Sequence, residues 1–240
     1  MTLTKGSSLE FGAGTLTIDG THGASGSAQR NGIAGVVEND APLGEVTLNG
    51  TTVNITGGGN IEVDKLNIAG GEINVSGTGA DLTVPVGEDW RKGSIISGTT
   101  SLDMTGGKVT LGENGQMITY ENGSINLSGG EVVLNGGSGT EAILRASNGI
   151  DNPTSKINID GAKVTVSGYG IIDSVDTTLS SGSLEIASGG NLALVTNMGE
   201  VKTADGSSTR ADAIPGVLKV TGGSVSNAGA VTGTVDLSEG

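Results

Sequence analysis

Residues 102–111 read LDMTGGKVTL, and residues 125–134 read INLSGGEVVL. In both stretches an aliphatic residue alternates with a polar one, which is the period of a β-strand with one buried face. A glycine at the fifth place interrupts the alternation, where the chain must turn between two short strands. Each stretch therefore predicts two short strands joined at a glycine.

The same pattern recurs through most of the chain. It can be written Φ-x-Φ-x-G-x-x-Φ-x-Φ, where Φ is mostly Val, Ile, Leu or Met. The other full copies are VTLNGTTVNI (46–55), LNIAGGEINV (66–75), INIDGAKVTV (157–166), TTLSSGSLEI (177–186) and LKVTGGSVSN (218–227), and LTIDG (16–20) matches the first half only. Repeats of this length are typical of solenoids, in which each unit buries its apolar face by stacking on the next.

The shortest repeat leaves room for a third strand, which is visible as Ile61 and Val63 in one repeat and as Leu192 and Leu194 in another. We therefore predict an all-β fold, a right-handed parallel β-helix (β-solenoid) of about seven to eight coils. It is a single domain, with irregular first coils over residues 1–45 and regular coils over 46–240.

The aliphatic positions of the pattern predict the core. Ile125, Leu127, Val132, Val164 and Val166 are expected to point inward and to stack on equivalent residues one coil away. Because the distance between successive motifs alternates between short and long, we also predict loop insertions at alternate coils, at roughly 20–45, 85–101, 139–156 and 195–217.

Composition agrees with a narrow aliphatic core. Glycine occupies 45 of 240 positions, hydrophobic residues make up 34% and aromatic residues 2%. A net charge of -14 opposes binding to nucleic acid or anionic lipid, so neither is expected as a partner. Without cysteine, disulfides and thiolate chemistry are excluded. No apolar run is long enough to predict membrane insertion.

The motifs at 102–111 and 125–134 resemble the coils of pectate-lyase-like right-handed β-helices, in particular those of autotransporter passenger regions and related bacterial surface adhesins. The resemblance covers about residues 46–237. It implies a secreted adhesin, a surface scaffold or, less often, a polysaccharide-degrading enzyme. The start MTLTKGSSLEFG lacks the apolar region of a signal peptide, so an exported chain would be a fragment or repeat unit of a longer protein.

Catalysis on such a fold needs convergent carboxylates beside a base or a metal ion. The acids Asp103, Glu131, Asp160 and Glu185 fall at different places of the pattern, which indicates a solvated outer face. The only histidine, His22, lies in a Gly/Ser-rich insertion. We therefore predict no catalytic residues, no metal site, no cofactor and no enzyme activity.

The arginines give the candidate binding residues. All four lie in the predicted insertions, and each is followed within five residues by an isoleucine; the arginines are Arg30, Arg91, Arg145 and Arg210. Each could anchor its own loop through the five guanidinium donors. Alternatively, the row of arginines beside the only tryptophan, Trp90, could bind an acidic glycan or a partner protein.

The sequence thus predicts a non-catalytic extracellular or cell-surface module, an adhesin or scaffold shaft that displays loops to a host or surface glycan or protein. Two alternatives stay open. One is a self-assembling filament subunit that stacks end to end with copies of itself, because both ends of the chain continue the strand pattern. The other is a polysaccharide-active enzyme.

Overall fold

A computed structural model describes residues 1–20, 32–35, 37–38, 41–42, 44–77, 93–119, 123–146, 155–196, 200–202, 208–210 and 214–237. Every regular element among these residues is a β-strand, and none is a helix. The prediction of an all-β chain is confirmed.

The strands, in chain order, are β1 (Thr2–Leu3), β2 (Ser8–Phe11), β3 (Gly14–Asp19), β4 (Gly32–Gly35), β5 (Val37–Glu38), β6 (Ala41–Pro42), β7 (Glu45–Leu48), β8 (Thr51–Thr56), β9 (Asn60–Ile68), β10 (Glu72–Val75), β11 (Ser94–Met104), β12 (Lys108–Leu111), β13 (Gly115–Thr119), β14 (Ser124–Leu127), β15 (Glu131–Leu134), β16 (Ala142–Ala146), β17 (Lys156–Val166), β18 (Tyr169–Ser174), β19 (Asp176–Ile186), β20 (Asn191–Thr196), β21 (Glu200–Lys202), β22 (Ser208–Arg210), β23 (Ile214–Pro215), β24 (Val217–Val220), β25 (Ser224–Asn227), β26 (Ala230–Thr232) and β27 (Thr234–Asp236).

Most strands pair in parallel with the equivalent strand of the next repeat, and the pairings form three ladders. The first ladder contains β2, β7, the second parts of β9 and β11, β14, the first parts of β17 and β19, β24 and β27. The second contains β3, β8, β10, β12, β15, the second parts of β17 and β19, and β25. The third contains β1, β4, the first parts of β9 and β11, β13, β16, β18, β20 and β26. This arrangement is consistent with a β-solenoid.

The repeat motif maps onto the first two ladders. In all seven full motifs the first half lies in the first ladder and the second half in the second. The partial motif at 16–20 lies in a different ladder from the one its sequence predicts. It matches the first half of the pattern, but Leu16 pairs with Val53 and therefore lies in the second ladder. The residues before it, in β2, supply the first-ladder strand.

The core lies between the three ladders and is aliphatic throughout. The five residues predicted to point inward are all completely buried, and they stack on equivalents in the neighbouring strands, for example Val132 on Val164. The predicted third strand is also confirmed, because Ile61, Val63, Leu192 and Leu194 are buried in the third ladder.

Two adjacent glycines occupy the turn between the first and second ladders in four of the seven full motifs, and in the motif at 125–134 each is needed for a different reason. At the fifth place, a Cβ on Gly129 would come 2.5 Å from the carbonyl oxygen of Thr105 in the preceding repeat. At the sixth place, Gly130 has φ of 81°, a backbone conformation that other residues rarely adopt. In this motif the first glycine is therefore needed for the close approach of two backbones and the second for the turn itself.

The predicted boundaries of three insertions are wrong. Residues predicted to lie within loops form the whole of β4, part of β11 and the whole of β16, all in the third ladder. In β16 and the third-ladder part of β11 the alternation of buried and exposed residues is lost, because both faces are largely buried. A strand that is buried on both faces does not show a period of two in its sequence.

Candidate functional site

The third ladder differs from the other two because its outer face is largely buried in its middle strands, from β9 to β18. Its inward residues, such as Met117 and Leu144, belong to the core cluster. Four further hydrophobic residues are buried but lie outside that cluster, and all four are in the third ladder: Ile95, Ile118, Ile171 and Val195. Because successive side chains of a strand point to opposite faces, these four lie on the side away from the core. We call this side the third-ladder outer face.

Three charged residues are buried on the third-ladder outer face: Glu62, Arg145 and Asp173. They share a single row, since their positions follow one another through the strand pairings from Glu62 along the ladder to Asp173. Buried charges are rare in proteins unless they are paired. This row is therefore the most unusual chemistry of the described residues.

Arg145 and Asp173 form a buried ion pair. They are directly opposite each other on β16 and β18, and the Nε of Arg145 donates a hydrogen bond of 2.9 Å to Oδ2 of Asp173. Their side chains are only 8% and 1% exposed. The next residues in the row are Ile118 on one side and Val195 on the other. The pair is therefore buried and has an apolar neighbour on each side of its row, and an electrostatic interaction is stronger in a buried place than in water.

Glu62 has a different partner. The side-chain amide of Asn60, two residues earlier on β9, donates a 3.2 Å hydrogen bond to Oε2 of Glu62. Sequence reasoning identified neither Glu62 nor Asp173 as a candidate. A usable signal was present for Asp173, because it follows two adjacent isoleucines in IIDSV (171–175), without the alternation of a solvent-facing strand. None was present for Glu62, because NIEVD (60–64) alternates like a solvent-facing strand.

The other predicted site residues are not brought together among the described residues. Arg30, Trp90 and Arg91 lie outside the described part of the chain. Arg210 is the last residue of β22 and is opposite Glu200 in a short antiparallel pair. Only Arg145 is described with its contacts, and its bond to an acid on the neighbouring strand is the arrangement expected of an anchoring arginine. Ligand binding by the five residues stays a prediction.

The four acids considered as catalytic candidates each have a partner nearby. Asn126 donates a 2.7 Å hydrogen bond to Asp103, and Ser181 donates one of 2.8 Å to Asp160. Glu131 and Glu185 form salt bridges with Lys108 and Lys163, respectively. The described residues contain no group of three or more His, Cys, Asp or Glu that could hold a metal ion. They also contain no helix with the length and hydropathy of a membrane span.

A row of alternating charges runs along the second ladder. Glu72, Lys108, Glu131 and Lys163 occupy the same position in successive strands. The Lys108–Glu131 pair has an N–O distance of 3.1 Å and the Lys163–Glu185 pair 2.9 Å. Opposite charges that face each other across neighbouring strands favour this register over a shifted one.

The carboxylates beside Lys163 raise its pKa above the ordinary value. The hydrogen bond to Glu185 is the largest cause, followed by the charge of Glu185, while that of Glu131 adds a smaller effect. A lysine whose pKa is raised on folding stabilises the folded state fully below its ordinary pKa, and this contribution is lost as the pH rises through the folded value. The pair therefore contributes at neutral pH and is lost only in strong alkali.

We expect Glu131→Lys to lower the melting temperature at low salt, because it places three lysines side by side. The expected loss is about 1 kcal/mol or less, as is usual for exposed pairs, and it should shrink as salt screens the charges. The measurement is thermal unfolding at low and high ionic strength. Glu113→Lys, at an exposed turn residue with the same change of charge, is the control. Equal salt dependence in both variants would contradict a role for the row.

The fold and the site together define an all-β repeat protein with mostly parallel strands and a buried ion pair on the outer face of one ladder. Comparison with protein-family models, with curated proteins and with solved structures finds no match to this chain.

Proposed function

We propose that the chain is a right-handed parallel β-helix of about seven to eight coils and that it serves as a non-catalytic module outside the cell, as an adhesin or surface scaffold. The resemblance to autotransporter passenger regions supports this proposal. A right hand is the expected one, since parallel strands of one sheet are nearly always connected in a right-handed way.

The observation that carries the proposal is that polar side chains along the ladders bond to polar side chains of the neighbouring strands. Side chains that could act as acids or bases are engaged with neighbouring strands, as in the bonds of Asn126 to Asp103 and of Lys108 to Glu131. The bond between Asn126 and Asp103 is extended to a third strand, because Asn158 donates a 2.8 Å hydrogen bond to Asn126. Such bonds connect one repeat to the next, which suits a shaft whose repeats must hold together. Displayed loops would then recognise a glycan or protein.

A screen of the purified chain on acidic and neutral polysaccharides tests this function, with binding and bond cleavage measured in parallel. We expect retention on one class of glycan without release of new sugar ends, and loss of retention in Trp90→Ala and Arg91→Ala. Lys5→Ala, at an exposed residue outside the insertions, is the control. Release of sugar fragments with turnover would instead establish an enzyme. Absence of both would restrict the proposal to a scaffold.

A specific observation also favours the second candidate, a filament subunit. Six hydrophobic residues pack against the core but are only partly buried, and they lie on the terminal strands: Leu9, Phe11, Leu16, Val225, Val231 and Val235. They leave apolar surface at both ends of the ladders. End-to-end stacking of copies would cover both surfaces.

A further inference from the structure

An asparagine followed by a glycine occurs at six places in the chain, and at three of them both residues are described: Asn49–Gly50, Asn114–Gly115 and Asn135–Gly136. Such a pair is chemically labile, because the backbone nitrogen of the glycine can attack the side-chain amide carbon of the asparagine. Glycine favours this attack, since it has no Cβ to crowd its nitrogen. The reactivity of each pair in the fold then depends on what holds that nitrogen.

The three glycine nitrogens differ in their hydrogen bonds. The N–H of Gly115 donates a 3.0 Å bond to the carbonyl of Gly112, and that of Gly136 donates a 3.1 Å bond to the carbonyl of Tyr169. Both of these glycines are also buried. Gly50 is exposed, and its N–H donates no hydrogen bond in the described part of the chain. Of the three nitrogens, that of Gly50 is therefore the one free to attack.

Asn49 and Gly50 form the turn between β7 and β8, where the chain passes from the first ladder to the second. Both residues are exposed, and a Cβ added to Gly50 would meet no atom within 4 Å. Nδ2 of Asn49 donates a hydrogen bond of 3.4 Å to Oε1 of Glu10, which is longer than usual and holds the amide weakly. The turn is thus open to water and leaves the amide room to move.

We propose that Asn49 is a site of spontaneous modification, at which its amide becomes a carboxylate. The nitrogen of Gly50 forms a bond to Cγ of Asn49, the Cγ–Nδ2 bond breaks, and the proton of the attacking N–H passes through water to the leaving ammonia. The product is a five-membered succinimide ring. Water then adds to either carbonyl carbon of the ring and opens it, which restores the N–H and gives aspartate or isoaspartate with one additional negative charge.

The modification changes the contacts of this turn in two ways. The new carboxylate can no longer donate to Glu10, so a hydrogen bond is replaced by two like charges on neighbouring strands. Isoaspartate also lengthens the backbone by one atom, and the turn of the next repeat lies close by, since a Cβ on Gly71 would come 2.9 Å from the carbonyl carbon of Gly50. Both changes weaken the stacking of these two repeats.

The experiment follows the three described pairs in one preparation of the whole chain, kept folded at mildly alkaline pH and sampled over time. Peptide mapping by liquid chromatography and mass spectrometry gives the fraction of aspartate and isoaspartate at each asparagine. We expect Asn49 to react at least about tenfold faster than Asn114 and Asn135, because a hydrogen bond that must first break slows a reaction by about this factor. In urea, where these bonds are absent, the three rates should be similar.

Two results would overturn the modification site. A rate at Asn49 in the folded chain no greater than at Asn114 or Asn135 would mean that the turn protects the amide. A tenfold difference that persists in urea would mean that the local sequence, not the fold, selects Asn49.

Asn49→Asp copies the charged product and tests its effect separately. We expect this variant to have a lower melting temperature than the wild type at low salt, with a smaller difference at high salt. In a Glu10→Gln background the same substitution should cause no such loss. An equal loss in both backgrounds would overturn the role of Glu10.

Discussion

Replacing Val132 with Asp is expected to lower the free energy of unfolding by about 3 kcal/mol or more, because it buries a charge without a partner. Val132 is completely buried, between Val109 and Val164 in the second ladder. Every neighbour in that row is aliphatic, so the new carboxylate would find no donor there. The same loss is expected for Val164→Asp.

The adjacent residue offers a matched control. Val133 points outward from the same strand and is partly exposed, between Thr110 and Thr165. Val133→Asp therefore makes the same chemical change at a site that water can reach, and we expect a small effect. Urea denaturation of both variants measures the difference. If the two variants were equally stable, the assignment of the inward face would be wrong.

Much of the fold could be predicted because two ladders face water on one side. Alternation of apolar and polar residues survives only where the outer face is solvated, as in β14 and β15, and there the motif predicted both the strands and the inward residues. The motif also predicted which strands pair, because equivalent positions of successive motifs, which carry the same kind of residue, lie next to each other. Val132 beside Val164 and Ile125 beside Ile157 are examples.

The third ladder could be predicted only in part, for a physical reason. In β13, five consecutive residues are buried, so no period of two marks the strand. Residues 94–101 were predicted to lie in a loop for the same reason, although they form part of β11. Recognition of such strands needs the register of the other two ladders.

The sequence predicted one of the two residues of the buried ion pair. Arg145 was identified because each predicted insertion contains an arginine that is followed by an isoleucine. An anchoring role was one of the two interpretations of these arginines. Its partner Asp173 was missed, since the two are 28 residues apart and meet only through the pairing of β16 with β18. A pairing between repeats of unequal length cannot be derived from spacing alone.

The Arg145–Asp173 pair leads to the last prediction. Asp173→Leu would leave the guanidinium of Arg145 buried without its carboxylate partner, and breaking a buried pair in this way typically costs about 3–5 kcal/mol. The double variant Arg145→Leu/Asp173→Leu should recover most of this loss. Its row would then read Ile118, Leu, Leu, Val195, which is a continuous apolar row.

Urea denaturation of the wild type, both single variants and the double variant gives the coupling energy between the two residues. We expect the double variant to be close to the wild type and at least as stable as Asp173→Leu, because two leucines need no partner whereas a lone guanidinium does. A double variant with the summed loss of both single changes would mean that the two side chains act independently. The buried pair would then owe its stability to other groups on the third-ladder outer face, and Arg145 would no longer be an anchor that depends on Asp173.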